Sequence, residues 1–470
     1  MKKIAIIGGG ISGLSAAYTL EKARLAGVPL EYRLFEASAR LGGVLLTDRV
    51  EGCVVEAGPD SFLTEKGWAV DFCREIGLGD QLITSRDSER KTYIYLKGRL
   101  IPMPDGLAFM VPTKVWPIAL SPLFSLSTKL RMAREWFSSA PAMRNGEPVP
   151  SKKDESVAAF ITRHYGGEMV DRLADPLLSG VYGGNASELS VQSVLPRFVE
   201  MEAKFGSLGK SMIAARKKMP KGPSRPIFTS LRAGMQQMAD AVAAKIPTSS
   251  LRTNARVDSL HFEDGQWIAS VDGESERFDA VILAAPAYAA AFLLQASSPN
   301  LAQHLREIPY SSSVTVALGF DQTRLSLPSG FGFLVPRSEG KNTMAVTFVH
   351  QKFPSRTPAG MALLRCFLGG SHNDQILAKD DDAILKIVRE ELRQILGVNV
   401  EPLFTRIFRW KNAMAQYTVG HAQRVENIQR LAGQLPSFAL AGNAYSGIGV
   451  PDCMRSGENA AQRVLTSLSL

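Results

Sequence analysis

Three glycines and one carboxylate near the start of the chain have a spacing that suits the phosphates and ribose of a dinucleotide. Gly8, Gly10 and Gly13 match G-x-G-x-x-G directly after the short apolar run Ile4–Ile7. The first glycine permits a tight turn, the second lets the backbone approach a pyrophosphate, and the third lets a helix pack closely. Glu36 lies 23 residues after Gly13 and can accept hydrogen bonds from both ribose hydroxyls. These residues predict a dinucleotide-binding turn.

A strand, a helix and a second strand are needed to position these groups. Ile4–Ile7 predicts a buried parallel strand, and Leu14–Ala26 predicts a helix that Gly27 and Pro29 end. Glu31–Phe35 predicts the second strand. Free N–H groups at the helix start would face the phosphate charge. The glycines alone could form an ordinary turn, but the order strand, glycines, helix, strand and acid favours nucleotide binding.

The remaining composition excludes several other kinds of site. The four cysteines and six histidines are scattered without C-x-x-C or H-x-x-x-H spacing, so we expect no zinc site, other metal site or disulfide framework. No run of ~18 apolar residues is present, and the first strand begins too early for a signal peptide, so we expect a cytoplasmic protein. The net charge of +9 comes without a nucleic-acid motif and suits an anionic membrane surface or an acidic small substrate better.

After Glu36 the chain begins to resemble a family of flavoproteins. Glu36-x-x-x-Arg40-x-Gly42-Gly43 resembles the oxidases that include monoamine oxidases, phytoene desaturases and protoporphyrinogen oxidases, in all of which the dinucleotide is FAD. The segment Gly58-Pro59-Asp60-Ser61-Phe62 resembles the porphyrinogen-oxidase branch in its Gram-positive bacterial form. The resemblance covers nearly the whole chain. Because a second G-x-G-x-x-G is missing, we expect electrons to leave to O2 or a quinone rather than to NADP.

The resemblance implies which residues hold the FAD. It places the backbone of Val257 at the adenine and Gly449, Val450 and Pro451 at the flavin. There the N-terminus of a predicted Cys453–Leu468 helix would stabilise negative charge on the reduced ring. Cys453 lacks the Ser-Gly-Gly-Cys context of the tethering cysteine in monoamine oxidases, so the FAD is expected to be noncovalent. The full predicted set is Gly8, Gly9, Gly10, Ile11, Ser12, Gly13, Leu14, Glu36, Ala37, Arg40, Gly43, Val44, Gly58, Pro59, Asp60, Ser61, Val257, Trp410, Gly449, Val450 and Pro451.

Three further residues are candidate substrate contacts. The porphyrinogen-oxidase branch places a basic residue near Lys66 opposite a substrate carboxylate, although a solvated lysine at a helix start is the plainer interpretation. Glycines in Asp175–Asn185 suit a regular helix poorly and allow close backbone approach. The resemblance implies that this segment lines the substrate cavity, with Gly180 and Val181 as the candidates. A bent loop between helices is the alternative.

The predicted fold class is α/β, with a Rossmann-type FAD-binding domain, an antiparallel-sheet substrate domain and a helical insertion. The expected boundaries are 1–66, 227–290 and 411–470 for the first, 67–90 and 291–410 for the second, and 91–226 for the third. Between Leu107 and Phe137 the insertion mixes aromatic, aliphatic and cationic residues, which suits a helix in a bilayer interface or a cap over a substrate tunnel. The basic stretch from Lys204 to Arg225 predicts a mobile loop. Leu251–Val257 predicts a strand, and Lys97-Gly98 and Asp272-Gly273 predict hairpin turns. Asp381–Leu396 predicts an amphipathic helix.

The resemblance implies an oxidase of haem biosynthesis that aromatises a porphyrinogen. The expected reaction is coproporphyrinogen III with three O2 to coproporphyrin III and three H2O2, with protoporphyrinogen IX as the other substrate. An amine oxidase or carotenoid desaturase of the same fold stays open, as does a noncatalytic FAD-bound partner. The inner face of the cell membrane and another haem-pathway enzyme are candidate partners, and no nucleic acid is expected.

Overall fold

The computed structural model describes residues 1–138, 143–144, 147–148, 153–218, 226–371 and 373–470. The chain forms two units. Unit 1 contains Met1–Ser85, Pro226–Pro309 and Gln423–Leu470, and unit 2 contains Arg86–Arg225 and Tyr310–Ala422. The predicted insertion and most of the predicted substrate domain therefore belong to one unit, while residues 67–85 and 291–309 belong with the nucleotide-binding segments.

A parallel five-stranded sheet lies at the centre of unit 1. Its strand order is Leu251–Arg252, Leu30–Phe35, Lys2–Ile7, Ala280–Leu283 and Phe438–Leu440. These strands form because apolar runs can be buried on both faces of a parallel sheet; every residue of Ala280–Leu283 is buried. The sheet joins strands from near both ends of the chain, as a nucleotide-binding domain assembled from distant segments requires.

The first and last helices of the chain pack directly on one another in unit 1. The Ile11–Leu25 helix begins three residues before the predicted Leu14, and the Val450–Ser467 helix begins three before the predicted Cys453. A Cβ added to Gly457 would lie 1.9 Å from the carbonyl oxygen of Ser12, so only glycine allows this approach. The predicted strand Leu251–Val257 is wrong: it stops at Arg252, and Asn254 turns the chain with φ +52°.

The rest of unit 1 is built from small antiparallel sheets and short helices. The paired strands are Thr47–Val50 with Cys53–Glu56; Phe62–Leu63, Phe228–Leu231 and Leu82–Thr84; and Val257–Glu263, Gln266–Val271 and Glu274–Phe278. The helices are Gly67–Glu75, Gln236–Ala243, Ala287–Leu293 and Pro299–Arg306. The predicted hairpin turn at Asp272-Gly273 is confirmed, with φ values of +52° and +83°.

Unit 2 contains a seven-stranded sheet covered by an amphipathic helix. The strand order is Phe404–Ala415, Tyr310–Asp321, Met361–Gly369, Thr343–Phe348, Gly332–Leu334, Thr92–Leu96 and Arg99–Pro102. Neighbours are antiparallel except Gly332–Leu334 with Thr92–Leu96, which are parallel. The Asp381–Leu396 helix has the predicted bounds, and Ile384, Val388 and Leu392 lie in the core of the sheet.

Short helices make up the remainder of unit 2. They are Val115–Leu120, Leu126–Glu135, Val157–Tyr165, Gly167–Met169, a π-helical turn at Val170–Ala174, Asp175–Tyr182, Val191–Val194, Pro196–Phe205, Leu208–Lys218 and Val349–Lys352. The strand pairs Leu107–Ala108 with Val111–Pro112 and Met143–Arg144 with Glu147–Pro148 complete it. The predicted loop from Lys204 to Arg225 is wrong where the Leu208–Lys218 helix forms, and residues 219–225 lie outside the described part. The division between units falls within the His421–Ala432 helix.

A buried ionic cluster joins three of these helices. The two ring nitrogens of His164 lie 3.4 Å from Glu135 and 3.1 Å from Glu202. Burial disfavours the imidazolium, but hydrogen bonds to both carboxylates more than offset this and the pKa of His164 is raised. Burial alone would raise the pKa of Glu202, yet His164 and Arg163 lower it to about 2. The cluster therefore holds the helices together through charges.

The predicted α/β fold, with a Rossmann-type parallel sheet, an antiparallel sheet and a group of short helices, is confirmed.

Candidate functional site

The turn before the Ile11–Leu25 helix is closely packed at two of its glycines and open at a third. Gly8 has φ +110°, and a Cβ there would come within 2.5 Å of the Ala284 carbonyl oxygen. A Cβ on Gly13 would lie 1.9 Å from the Gly8 oxygen, so both glycines serve close packing. A Cβ on Gly10 meets no atom within 4 Å. The backbone at Gly10 thus faces open space, as a pyrophosphate-binding position requires.

The start of this helix has no capping side chain among the residues that the structure describes. Gly10 caps it without a side-chain hydrogen bond, and its first turn carries no acidic residue, although Ile11 and Ser12 are buried. Buried amides at a helix start need an acceptor, and a phosphate supplies one together with the favourable charge. The predicted residues from Gly8 to Leu14 therefore fit the pyrophosphate of FAD.

Glu36 is fixed beside this turn. One carboxylate oxygen, Oε2, accepts a hydrogen bond from the Gly9 amide at 2.7 Å. The other, Oε1, accepts from the amide of Ser38 at 2.8 Å and from its hydroxyl at 2.7 Å. The Gly42 amide donates to the Gly9 carbonyl at 2.8 Å, so the loop that follows Glu36 is fastened to the glycine turn. This geometry holds a carboxylate next to the open space at Gly10.

Arg40 organises the loop around it through backbone carbonyls. Its guanidinium donates to the carbonyl oxygens of Leu41 at 3.2 Å and Leu45 at 3.1 Å, and also to that of Gly43. Burial lowers the pKa of Arg40, against the opposing influence of Glu36 and Asp240. The described hydrogen bonds of Arg40 thus shape the turn in which Gly43 and Val44 are exposed.

The Gly58–Ser61 segment passes close to the same loop. A Cβ on Gly58 would lie 1.9 Å from the Val44 carbonyl oxygen, which explains the glycine. The Ser230 hydroxyl donates to the Asp60 carbonyl at 2.5 Å, and the Ser61 hydroxyl donates to the Asp60 carboxylate at 2.6 Å. Pro59, which lies between Gly58 and Asp60 in the sequence, is partly buried. These residues therefore share a part of unit 1 with Arg40 and Val44.

The segment leading to Val257 runs beside Glu36. The Glu36 amide donates to the Arg252 carbonyl at 2.8 Å, and the Ala255 amide donates to the Glu36 carbonyl at 2.9 Å. The Asn254 amide donates to the Ser38 carbonyl at 2.9 Å. Val257 is the buried first residue of the strand that follows. The residue predicted for the adenine therefore lies on a segment fastened to the residue predicted for the ribose.

The third part of the unit 1 site is the start of the Val450–Ser467 helix. Gly449 caps it without a side-chain hydrogen bond, and Val450 and Pro451 are buried. The first turn carries Asp452, and the Lys66 ammonium forms an ion pair with its carboxylate. Lys66 stands at a helix start, as the solvated-lysine interpretation has it, but its side chain is 25% exposed and paired with a carboxylate. A substrate carboxylate at Lys66 would have to compete with Asp452.

Cys453 directly follows Asp452, and its thiol is not activated as a nucleophile. Burial, with a smaller effect from Asp452, raises the pKa of its thiol to about 12. Its sulfur lies 3.9 Å from the Ile448 carbonyl oxygen. Because the thiolate is the nucleophilic form, a thiol with this pKa does not favour a covalent link to a flavin.

Gly180, Val181 and Trp410 all lie in unit 2. Gly180 sits within the regular Asp175–Tyr182 helix, so the expectation that it would interrupt a helix is wrong. The bent-loop alternative holds only from Gly183 onwards, after the helix has ended. Gly183, with φ +58°, ends this helix, and the irregular geometry comes before it, in the π-helical turn Val170–Ala174. Val181 is 54% exposed. Trp410 is half-buried on the Phe404–Ala415 strand opposite Ser313.

Two residues near the predicted site were missed by the sequence analysis. Asp452 pairs with a lysine 386 residues away, and Ser38 holds Glu36 through a local turn. Ser38 could have been found from its position two residues after the acid, because short side chains often bond nearby backbone and carboxylates. Asp452 could not have been assigned a partner without the fold.

Full-length relatives and a solved structure resemble this chain. It is 34% identical to the coproporphyrinogen III oxidase of Bacillus subtilis, over 99% of this chain and 98% of the relative. It is 30% identical to the Staphylococcus aureus coproporphyrinogen III oxidase, over 99% of this chain and all of that protein. A crystal structure of an Exiguobacterium sp. 255-15 protein matches with a TM-score of 0.88 and 31% identity, covering 100% of this chain and 99% of that one.

The glycine turn, the fixed carboxylate and the open backbone at Gly10 are features of a nucleotide site. Residues 11–465, almost the whole chain, match the model of a single protein family. That match confirms the predicted FAD-dependent oxidoreductase. The chain belongs to the flavin containing amine oxidoreductase family.

Proposed function

We propose that this protein oxidises coproporphyrinogen III to coproporphyrin III in haem biosynthesis, with three O2 reduced to three H2O2. The observation that carries the proposal is the full-length similarity to two bacterial coproporphyrinogen III oxidases. The site in unit 1 supports it, since its turn, acid and second helix start fit the pyrophosphate, ribose and ring of FAD. Protoporphyrinogen IX, with two carboxylates instead of four, is the second candidate substrate.

The chain's own residues would bind and orient the cofactor and substrate. The bound flavin supplies the electron acceptor that no side chain provides. The Gly10 backbone and the helix start would hold its pyrophosphate, and Glu36 its ribose. In unit 2 the exposed backbone at Gly180 and the exposed Val181 side chain are proposed to contact the tetrapyrrole. The net charge of +9 favours the tetracarboxylate electrostatically.

Anaerobic mixing of the FAD-loaded protein with each porphyrinogen tests this proposal. We expect the visible absorbance of the oxidised flavin to bleach with coproporphyrinogen III faster than with protoporphyrinogen IX. Porphyrin fluorescence should rise only after O2 is admitted, because one flavin accepts two of the six electrons that the full oxidation releases. Bleaching with an amine or a carotene precursor instead would favour the other branches of the family. A flavin that no donor bleaches would favour a noncatalytic partner protein.

We also propose that the protein contacts an anionic membrane surface through the helices between Val115 and Phe137. Several large apolar side chains there are highly exposed, namely Val115, Trp116, Leu120, Leu126, Leu130 and Phe137, at 63% to 82%. Exposed cations stand among them, at Lys114, Arg131 and Arg134. Apolar and cationic groups on one exposed surface suit the boundary between lipid headgroups and acyl chains. Within the described residues, no helix combines the length and apolar character that crossing a bilayer requires.

Sedimentation with vesicles tests the membrane proposal. Wild type should sediment with vesicles that contain anionic lipid, and the Trp116→Ser/Leu120→Ser/Leu126→Ser variant should not. Phe292→Ser is the matched control, because Phe292 is 70% exposed but lies in unit 1. Equal sedimentation of all three proteins would contradict the proposed surface.

A further inference from the structure

We propose that Lys66 and Asp452 have opposite electrostatic effects on the reduction potential of the bound flavin, and that their pairing balances these effects. In this pair Asp452 is a positioning residue that holds the Lys66 ammonium beside Gly449. The inference rests on the proposed function only in requiring that a flavin occupies the unit 1 site.

The position of the pair supports this role. Lys66 precedes the Gly67–Glu75 helix, and Asp452 lies in the first turn of the Val450–Ser467 helix. A Cβ added to Gly449 would lie 3.8 Å from the Lys66 nitrogen, and one added to Gly447 would lie 2.6 Å from Asp452 Oδ2. The two side chains are 25% and 18% exposed. The charges therefore lie against the backbone turn predicted for the flavin rather than in open solvent.

Neighbouring groups hold the pair in place. The Trp68 indole nitrogen donates to the Pro451 carbonyl at 3.1 Å, which ties the two helix starts together. The Arg455 guanidinium lies 3.8 Å from the centre of the Trp68 ring, and the Lys66 nitrogen lies 5.9 Å from it. Both distances are within the range of cation–π attraction. Because these contacts restrict both side chains, forming the ion pair costs less side-chain entropy than forming an isolated surface pair.

Each charge has a definite effect on a flavin at this helix start. Reduction places negative charge on the ring, and the positive end of the helix favours it. The Asp452 carboxylate opposes that charge and the Lys66 ammonium favours it, so the intact pair nearly cancels. Removing one member exposes the other. Lys66→Met should therefore lower the potential, and Asp452→Asn should raise it.

The proposal is tested by measuring the reduction potential of each FAD-loaded variant. The protein is equilibrated with a reference dye, and no porphyrinogen is added. We expect each single variant to shift the reduction equilibrium by about tenfold, in opposite directions, which is about 30 mV for a two-electron couple. The Lys66→Met/Asp452→Asn double variant should return close to wild type, and Asp452→Glu should preserve the wild-type value. Lys22→Met and Glu75→Gln are matched controls, because that pair at 2.8 Å is 45% and 43% exposed on the neighbouring helices. These controls should not shift the potential.

Two results would overturn the inference. One is an unchanged potential in both single variants with FAD still bound, which would make the pair a structural link only. The other is a shift of the same sign in both. If a single variant releases FAD, its FAD affinity is measured instead by titrating the apoprotein. The double variant should then bind FAD more tightly than the weaker single variant. Losses of affinity that add up in the double variant would contradict pairing. Failure of the proposed porphyrinogen oxidation is a separate result, because it appears in the mixing experiment alone.

Discussion

Replacing the Glu36 carboxylate should weaken FAD binding at the ribose and nowhere else. A carboxylate offers about four acceptor positions on its two oxygens. The Gly9 amide, the Ser38 amide and the Ser38 hydroxyl occupy three of these. The hydroxyl also lies 2.9 Å from the Arg40 carbonyl oxygen, which it can use instead. One acceptor on each carboxylate oxygen can thus be offered to the two ribose hydroxyls.

In Glu36→Gln one of these acceptors becomes an amide donor and the charge is lost. A hydrogen bond to a charged group contributes about 1.5–3 kcal/mol, so the Kd for FAD should rise roughly 10- to 150-fold. Titration of the apoprotein, followed by flavin fluorescence, measures this. Glu31→Gln, at an exposed position on the strand that precedes Glu36, should leave the Kd unchanged.

FMN provides the stricter comparison, because it lacks the adenosine half of FAD. Glu36→Gln should bind FMN as wild type does. An unchanged FAD affinity would refute the ribose assignment. Equal losses for FAD and FMN would show that Glu36 only holds the glycine turn in shape.

Two further predictions concern packing and pH. Gly10→Ala should leave the melting temperature of the apoprotein unchanged, because the new Cβ enters open space, but FAD should no longer raise that temperature. Gly13→Ala should lower the melting temperature of the apoprotein by several degrees, since its Cβ overlaps the Gly8 carbonyl. Equal behaviour of the two variants would refute the ligand space. The raised pKa of His164 predicts stability that is complete below its ordinary 6.5 and lost as the pH rises through the raised value. The lowered pKa of Glu202, about 2, predicts stability present above 4.5 and lost as the pH falls towards 2. Melting temperature against pH should lose its alkaline decline in His164→Gln; an identical profile would contradict this.

Elements with strong local signals could be predicted from the sequence. The glycine turn between Lys2–Ile7 and Leu30–Phe35 combines apolar runs, glycines and an acid over a short distance, and the Asp381–Leu396 helix has both a capping aspartate and a terminal glycine. The turn Lys97-Gly98 likewise has the positive φ values of a tight hairpin, +51° and +75°.

Features that depend on distant contacts could not. Gly180 remains helical although glycine disfavours helices, because tertiary packing overrides local preference. The strand expected over Leu251–Val257 ends early because residues 254 and 255 bond to the Glu36 loop instead. The ion pair between Lys66 and Asp452 depends on contact between two helix starts that are far apart in the sequence. Local patterns therefore predicted the glycine turn, whereas the pairing of Lys66 with Asp452 could be seen only in the fold.

The most direct test of the proposed activity is the ratio of products during aerobic turnover. With purified FAD-loaded protein and coproporphyrinogen III, an oxygen electrode, a peroxide assay and porphyrin fluorescence should give three O2 consumed and three H2O2 formed for each coproporphyrin III, above the rate of spontaneous oxidation in a protein-free control. Porphyrin formation no faster than in that control would contradict the account.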